Sequence, residues 1–243
     1  MGKGVKVALW VFLLLLLVSG PLWADEQRWC PICGAPLKDF SGTLHRVTFE
    51  DGSKTTYCSL HCLVKAILRF AHERKVVEKV EVMDYAKKKF INTTDAFYLV
   101  GSKIPSHRSL ISKVAFSTSE DAMDAYFKYG GYLVRYNDAF GLAVKHLADD
   151  DHKIEVLEAK CTEKGKALAE SKGCLRCHGP KGKGPSWKSA EFAKRIKSKV
   201  QVDEAIYSGR GRMPAFKEKL TEEEIYSLTL YIWSLTKGKG EGK

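Results

Sequence analysis

The sequence predicts two domains of different fold class, an α+β domain over residues 25–140 followed by an all-α domain over residues 161–238. The first prediction comes from short alternating segments that are separated by turn signals and interrupted by amphipathic stretches. The second comes from helical periodicity broken by glycine-containing loops. Close pairs of cysteines mark each domain, and 243 residues are enough for two domains.

The first 24 residues form a separate element. Lys3 and Lys6 precede a short apolar run at residues 7–18, and Ala24 offers a small residue for cleavage. This order is typical of a secretory signal peptide, and the run is shorter than the about 20 residues of a membrane span. We therefore expect export to the periplasm or an equivalent compartment. The alternative is an uncleaved leader that anchors the chain to the membrane.

The chain is basic, with 40 lysines and arginines against 29 acidic residues and a formal net charge of +11. The excess is spread through both halves, without an aromatic-plus-basic motif for nucleic acid. This pattern favours acidic partner proteins or membrane surfaces and predicts no nucleic-acid binding.

The α+β domain opens with a predicted hairpin, residues 46–49 and 54–57 around the Asp51-Gly52 turn. A helix follows at residues 60–70. Ser117 and Glu120 predict a capping box for a helix that reaches Lys128 and ends at Gly130-Gly131. Further strands are predicted at residues 76–82, 96–100, 113–116 and 132–136.

Two cysteine pairs flank the hairpin. Cys30 and Cys33 stand in C-P-I-C-G, and Cys58 and Cys62 stand in C-S-L-H-C at the turn into the following helix. Four sulfurs placed in this way can meet at a tetrahedral centre, which suits Zn(II) or Cu(I). The alternative in an oxidising compartment is two disulfides or redox-active dithiols. His61 is either a further ligand or an exposed residue at the helix start.

Residues 141–160 predict a helical linker, and the all-α pattern begins at Cys161. Thr221 and Glu224 predict a capping box for the last helix, and residues 239–243 predict a flexible tail. Cys161 itself is expected to be a buried, inert thiol at the start of the first helix. An intermolecular disulfide or a redox role is the alternative.

Cys174, Cys177 and His178 form a C-x-x-C-H sequence, the attachment signature of c-type haem. Two thiols at this spacing can form thioethers to one porphyrin edge, and the histidine is then carried under the iron. The Pro185 carbonyl is a candidate acceptor for the His178 Nδ1 hydrogen, which would fix the ring. The alternatives are coincidence and a thioredoxin-like cysteine pair.

The sixth iron ligand is predicted by elimination. Met213 is the only methionine after His178, and its G-R-G-R-M-P segment can bend toward the porphyrin face. A thioether opposite histidine favours electron transfer over oxygen chemistry. The alternative places Met213 in loop packing, with His152 or His146 as the ligand.

Residues 161–238 resemble a class I cytochrome c domain of the short bacterial type. The resemblance covers the C-L-R-C-H-G segment, Gly184-Pro185, Arg212-Met213-Pro214 and the helix from Thr221 to Leu235. It implies three main helices around one covalent haem and a role in electron transfer, and it names no donor or acceptor.

Residues 28–140 resemble the NosL-type proteins, accessory factors for copper-site assembly in nitrous oxide reductase. The resemblance rests on both cysteine motifs and on the segments F-E-D-G, V-M-D-Y, K-V-A-F and E-D-A with G-G. It implies a compact α+β fold and copper handling outside the cytosol. Where the family usually carries methionine after the first motif, this chain has Ala35, so cysteines, with His107 as a further candidate, would supply the copper ligands.

The sequence therefore predicts a periplasmic mono-haem cytochrome c fused to a NosL-like domain that holds Cu(I) or Zn(II). We expect an electron carrier or metallochaperone rather than a catalyst, acting with redox partners such as nitrous oxide reductase or its assembly machinery. One alternative is a structural zinc domain that docks the cytochrome onto a reductase. Another is a haem enzyme, a peroxidase or small-molecule reductase, which requires an open iron position and so a Met213 that binds no iron.

Overall fold

The computed structural model describes residues 27–106 and 108–236. The predicted leader, the predicted tail and His107 lie outside these residues. Within the described ranges, no helix is both long enough and apolar enough to cross a membrane.

The first sheet of the α+β domain is antiparallel, with strand order β2-β1-β3-β4. Its strands are β1 His45–Phe49, β2 Lys54–Tyr57, β3 Val77–Met83 and β4 Phe90–Asn92. The predicted hairpin is confirmed, and its turn contains Gly52 at a φ of +78°. Helix α1, Leu60–Glu73, follows β2 and is also as predicted. The short strand β4 was not predicted.

A second antiparallel sheet has the order β6-β5-β7. Its strands are β5 Phe97–Val100, β6 Lys113–Phe116 and β7 Tyr132–Val134. Helix α2, Ser119–Tyr129, connects β6 to β7. The strand predicted to reach Tyr136 ends at Val134, because Tyr136 already begins helix α3, Tyr136–Lys145.

The predicted cap of α2 is wrong by one residue. Thr118 is the N-cap, and its hydroxyl accepts a hydrogen bond from the Asp121 amide. The Ser117 amide instead donates to Asp84 Oδ2 at 2.8 Å, and the Ser117 hydroxyl accepts from Lys87. Tertiary partners of Ser117 therefore move the helix start by one position.

Residues from 147 onward are helical with intervening loops. The helices are α4 Leu147–Ser171, α5 Leu175–His178, α6 Ala190–Arg195, α7 Lys199–Ser208 and α8 Glu222–Ser234. The capping box of α8 is confirmed, with Glu224 N donating to Thr221 Oγ1 and Thr221 N donating to Glu224 Oε2. Helix α4 passes Cys161 without a break, so this partly buried cysteine lies within a helix rather than at its start.

Helices α4 and α8 pack very closely. A Cβ atom at Gly165 would collide with the Ser227 carbonyl oxygen and would lie 2.9 Å from the Tyr231 Cβ. Only glycine allows this distance between the two helices.

Helix α8 contributes to two cores. Tyr226 and Leu230 pack into the core of the α+β domain, which also contains the four N-terminal cysteines. Ile225, Leu228 and Ile232 pack into the helical core. The i, i+4 and i, i+3, i+7 spacings place these two sets on different faces of the helix. One helix therefore joins the two domains.

Candidate metal centre and cofactor cavity

Cys30, Cys33, Cys58 and Cys62 form a buried cluster in which the four sulfur atoms lie within 4.8 Å of one another. The Sγ atom of Cys58 lies 3.6 Å from that of Cys33 and 3.5 Å from that of Cys62. Four thiolates around a tetrahedral ion with bonds of about 2.3 Å stand about 3.8 Å apart. The cluster therefore suits one four-coordinate metal ion, whereas two disulfides would divide the sulfurs into separate pairs.

Local backbone structure places each pair. In the first motif the Cys30 amide donates to the Ala35 carbonyl at 2.9 Å, and the Gly34 amide donates to the Cys30 carbonyl at 2.8 Å. Gly34 has a φ of +74°, which the tight turn requires. In the second motif Ser59 caps α1, and its hydroxyl accepts from the Cys62 amide at 3.4 Å. A turn and a helix start thus bring the two pairs together.

The thiols of the cluster have different acidities. Hydrogen bonds from the Cys30, Cys58 and Cys62 thiols, aided by the nearby Arg108 guanidinium, hold the pKa of Cys33 well below its usual range. Hydrogen bonds with Cys30 and Cys33 raise the pKa of Cys58 instead. The thiolate is the form that binds metal, so the lowered pKa of Cys33 favours metal binding at the cluster.

His61 lies outside the cysteine cluster. It is buried, and its Nε2 atom lies 3.1 Å from Asp151 Oδ1, while its Nδ1 atom lies 3.6 Å from Asp150 Oδ2. The structure therefore directs both ring nitrogens at carboxylates near the start of α4 rather than at a metal, and the ring is not exposed. His107, the other candidate ligand, lies outside the described residues.

A cavity of about 900 Å³ brings together Cys174, Cys177, His178, Pro185 and Met213. Its volume lies within the range of about 300–1,000 Å³ typical of cofactor pockets. Its apolar walls include Trp187, Ile206, Phe216, Leu220, Leu228 and Ile232. Its basic lining residues are Lys172, Arg176, Lys183, Arg210, Arg212 and Lys219. Among the described residues that line it, neither His146 nor His152 is present.

The His178 ring is held from two directions. Its Nδ1 hydrogen is donated to the Pro185 carbonyl oxygen at 2.9 Å, which fixes the tautomer and leaves Nε2 free to bind a metal ion. The Trp187 ring stacks on the imidazole with a centroid distance of 4.7 Å and an interplanar angle of 16°. The hydrogen bond is the one that the sequence predicts.

Met213 lies in a tight loop. The amide of Arg210 donates to the Met213 carbonyl at 3.0 Å, and the Met213 amide donates to the Arg210 carbonyl at 3.1 Å. Gly209 has a φ of +76°, and a Cβ atom there would lie 2.6 Å from the Met213 carbonyl oxygen. Glycine at this position therefore allows the loop to present the Met213 thioether to the cavity.

A polar network that the sequence analysis missed lies between the cysteine cluster and α8. Arg108 donates to the Tyr226 hydroxyl at 2.6 Å and lies 3.4 Å from Glu158 Oε1. Lys199 bonds both oxygens of Glu158 at 2.7 and 2.8 Å, and the Tyr226 hydroxyl donates to Glu158 at 3.2 Å. No local pattern identifies these residues, because only the packing of the two domains brings them together.

A buried four-sulfur cluster and a C-x-x-C-H cavity define a two-domain metalloprotein that combines a metal site with a haem-binding domain. Residues 21–140 match the family model NosL, and residues 161–232 match the family model for subunit III of cbb3-type cytochrome c oxidase. Residues 21–140 are thus a NosL domain, and residues 161–232 are a cytochrome c domain. These matches confirm both resemblances and both predicted fold classes.

A search of curated proteins found no match. Among solved structures, the chain is similar to the crystal structure of the copper chaperone NosL from Shewanella denitrificans, with 24% identity and a TM-score of 0.40. The alignment covers 46% of this chain and 90% of that chain.

The cytochrome c domain implies haem, and the residues around the cavity fit it. The cavity contains two thiols for covalent attachment, an imidazole whose far nitrogen is already bonded, a thioether and apolar walls. When bound, the haem supplies a one-electron redox centre. His178 and Met213 would hold the haem iron, and the chain orients the His178 ring and provides cationic groups at the cavity. Ligation by these particular residues stays a prediction.

Proposed function

We propose that this protein is an exported electron-transfer cytochrome whose NosL domain handles copper, in support of copper-site assembly such as the maturation of nitrous oxide reductase. Metal binding and electron transfer follow from the two domain families. The observation that carries the proposal is the shared helix α8. Export rests on the leader, and cell fractionation with N-terminal sequencing of the mature protein tests it.

The shared helix supports direct electron exchange between the two sites. Leu228 and Ile232 line the haem cavity. Tyr226, on another face of α8, bonds Arg108 and packs into the core that contains the four cysteines. One helix, about 10–12 Å across with its side chains, therefore borders both the cavity and the core that contains the cysteines.

The proposed reaction is a one-electron reduction of copper. The cytochrome domain gives up one electron, Cu(II) gains it and becomes Cu(I), and the cysteine thiolates bind the product. Thiolates are soft ligands and prefer Cu(I) to Cu(II), so capture at the cysteines favours this direction.

Stopped-flow mixing of the reduced protein with one equivalent of Cu(II) tests this reaction. We expect one haem oxidised for each Cu(I) retained, with all protein thiols still titratable after the metal is removed. The matched control is the variant C30S/C33S/C58S/C62S, which keeps the cytochrome domain and should retain no Cu(I). Retention of Cu(I) with the haem still reduced and one disulfide formed for every two Cu(I) would mean that cysteines supply the electrons, which contradicts the proposal.

A second candidate is a structural zinc domain that docks the cytochrome onto a partner reductase. The burial of all four cysteines favours it, because structural zinc sites are closed to solvent. Metal analysis of the purified full chain distinguishes the two functions. Zinc that resists exchange supports docking, whereas Cu(I) that passes to an acceptor protein supports copper delivery.

A further inference from the structure

We propose that Arg108 is the counter-ion of the four-cysteine centre, and that Tyr226 of the cytochrome domain holds it in place. The cytochrome domain would then be required for the full metal affinity of the NosL domain. This inference rests on the proposed function in one respect, that the cysteines bind a metal ion.

The first argument is the balance of buried charge. Arg108 is only 6% exposed, and a buried guanidinium needs an anionic partner. The nearest carboxylate, Glu158, is 3.4 Å away, but Lys199 already bonds both of its oxygens. The single negative charge of Glu158 is shared by the positive charges of Arg108 and Lys199. One positive charge is therefore left to be balanced by another anionic group.

The second argument is the position of that anionic group. Arg108 lines a small cavity together with Ser59, the residue that follows Cys58. Leu60, which also lies between Cys58 and Cys62, lines the same cavity, so the buried Arg108 side chain stands beside the second cysteine motif. Four thiolates around a divalent ion carry a net charge of −2, and a cation in the same poorly solvated region stabilises them.

The third argument concerns Tyr226. Its hydroxyl accepts a 2.6 Å hydrogen bond from Arg108 and donates one to Glu158 at 3.2 Å. Both partners are thereby fixed relative to α8. The turn that carries Cys33 also contacts the cytochrome domain, because a Cβ atom at Gly34 would lie 2.8 Å from the Lys199 Cβ. Tyr226 is thus a positioning residue that acts through Arg108.

The test measures the affinity of the full haem-containing chain for Zn(II), by competition with a fluorescent chelator. Arg108→Met removes the charge but keeps much of the length, and we expect affinity to fall about 10-fold or more. Arg108→Lys keeps the charge and should stay within about 3-fold of the wild type. Lys38→Met is the matched control, because Lys38 also forms an ion pair across the domain boundary, with Glu222. The Zn(II) affinity of this variant should equal that of the wild type.

Tyr226→Phe is the milder variant, since it removes only the hydroxyl. We expect an intermediate loss of Zn(II) affinity. The double variant R108M/Y226F should bind no more weakly than Arg108→Met alone, because Tyr226 acts through Arg108. Additive losses would overturn the role of Tyr226.

Two results would overturn the role of Arg108. One is an unchanged affinity in Arg108→Met, and the other is an equal loss in Arg108→Lys, which would show that shape rather than charge matters. In both cases the wild-type chain still binds Zn(II) and the proposed metal site stands. A wild-type chain that binds no Zn(II) overturns this inference together with the metal site.

Discussion

Replacing Gly165 by alanine should push helices α4 and α8 apart. The new Cβ would collide with the Ser227 carbonyl oxygen and would lie 2.9 Å from the Tyr231 Cβ. A backbone carbonyl inside a helix cannot rotate away as a flexible side chain can, so the helices themselves must move. Because α8 borders both the cysteine core and the haem cavity, the displacement would reach both sites.

The expected cost follows from two opposing effects. Overpacking a close contact costs about 1–3 kcal/mol, and the rigid backbone partner points to the upper end of that range. Alanine is favoured over glycine in a helix by about 1 kcal/mol. We therefore expect the free energy of unfolding to fall by about 2 kcal/mol, as measured by urea denaturation of the haem-containing chain.

Gly141→Ala provides the matched control. Gly141 lies within α3, and a Cβ atom there would meet no heavy atom within 4 Å. The same substitution should then raise the free energy of unfolding by about 0.5–1 kcal/mol. If Gly165→Ala is as stable as the wild type, or gains as much as Gly141→Ala, the close approach of α4 and α8 is not tight enough to require glycine.

Three further predictions concern single side chains. Met213→Ala should abolish the weak absorption band near the red end of the ferric spectrum that reports sulfur–iron coordination. The control is Met123→Ala, which should keep the band because Met123 is exposed. A band that persists in Met213→Ala rules out Met213 as the ligand. Burial lowers the pKa of His45 to about 4, below its ordinary value of about 6.5, so stability should fall by up to about 3 kcal/mol as the pH drops through this window, and His45→Gln should flatten the dependence in urea denaturation. Burial raises the pKa of Asp203 to about 7, so the folded state loses stability as the pH rises from about 4 to 7. Asp203→Asn should therefore be more stable than the wild type at pH 8 and equal to it at pH 4, and an equal melting temperature at pH 8 would contradict this reasoning.

Elements with local signals could be predicted from the sequence. The Asp51-Gly52 hairpin and the Thr221 capping box depend on residues that are adjacent in the chain, and both form as predicted. The start of α2 and the end of β7 differ from their predicted positions, because Ser117 bonds Asp84 and Tyr136 begins a new helix. Those choices depend on tertiary contacts, which no local pattern records.

The candidate sites divide in the same way. Spacing alone identified the four N-terminal cysteines and the C-x-x-C-H motif, because each motif is a short turn or a helix start. The surroundings of these sites could not be predicted. Arg108 meets Tyr226 across 118 positions of sequence, and His61 meets Asp151 across 90, so both contacts exist only once the domains have packed together.

The 25-residue helix α4 limits where the chain can be cut to express its two domains separately. At 1.5 Å per residue it extends about 37 Å, and about 29 Å separate Asp150, which contacts His61, from Ala169 in the helical core. A break inside it would leave each half with an unfinished helix and an uncovered apolar surface. We therefore expect the two halves, if expressed as separate polypeptides, to aggregate or to reassemble as a split protein, rather than to act as independent modules.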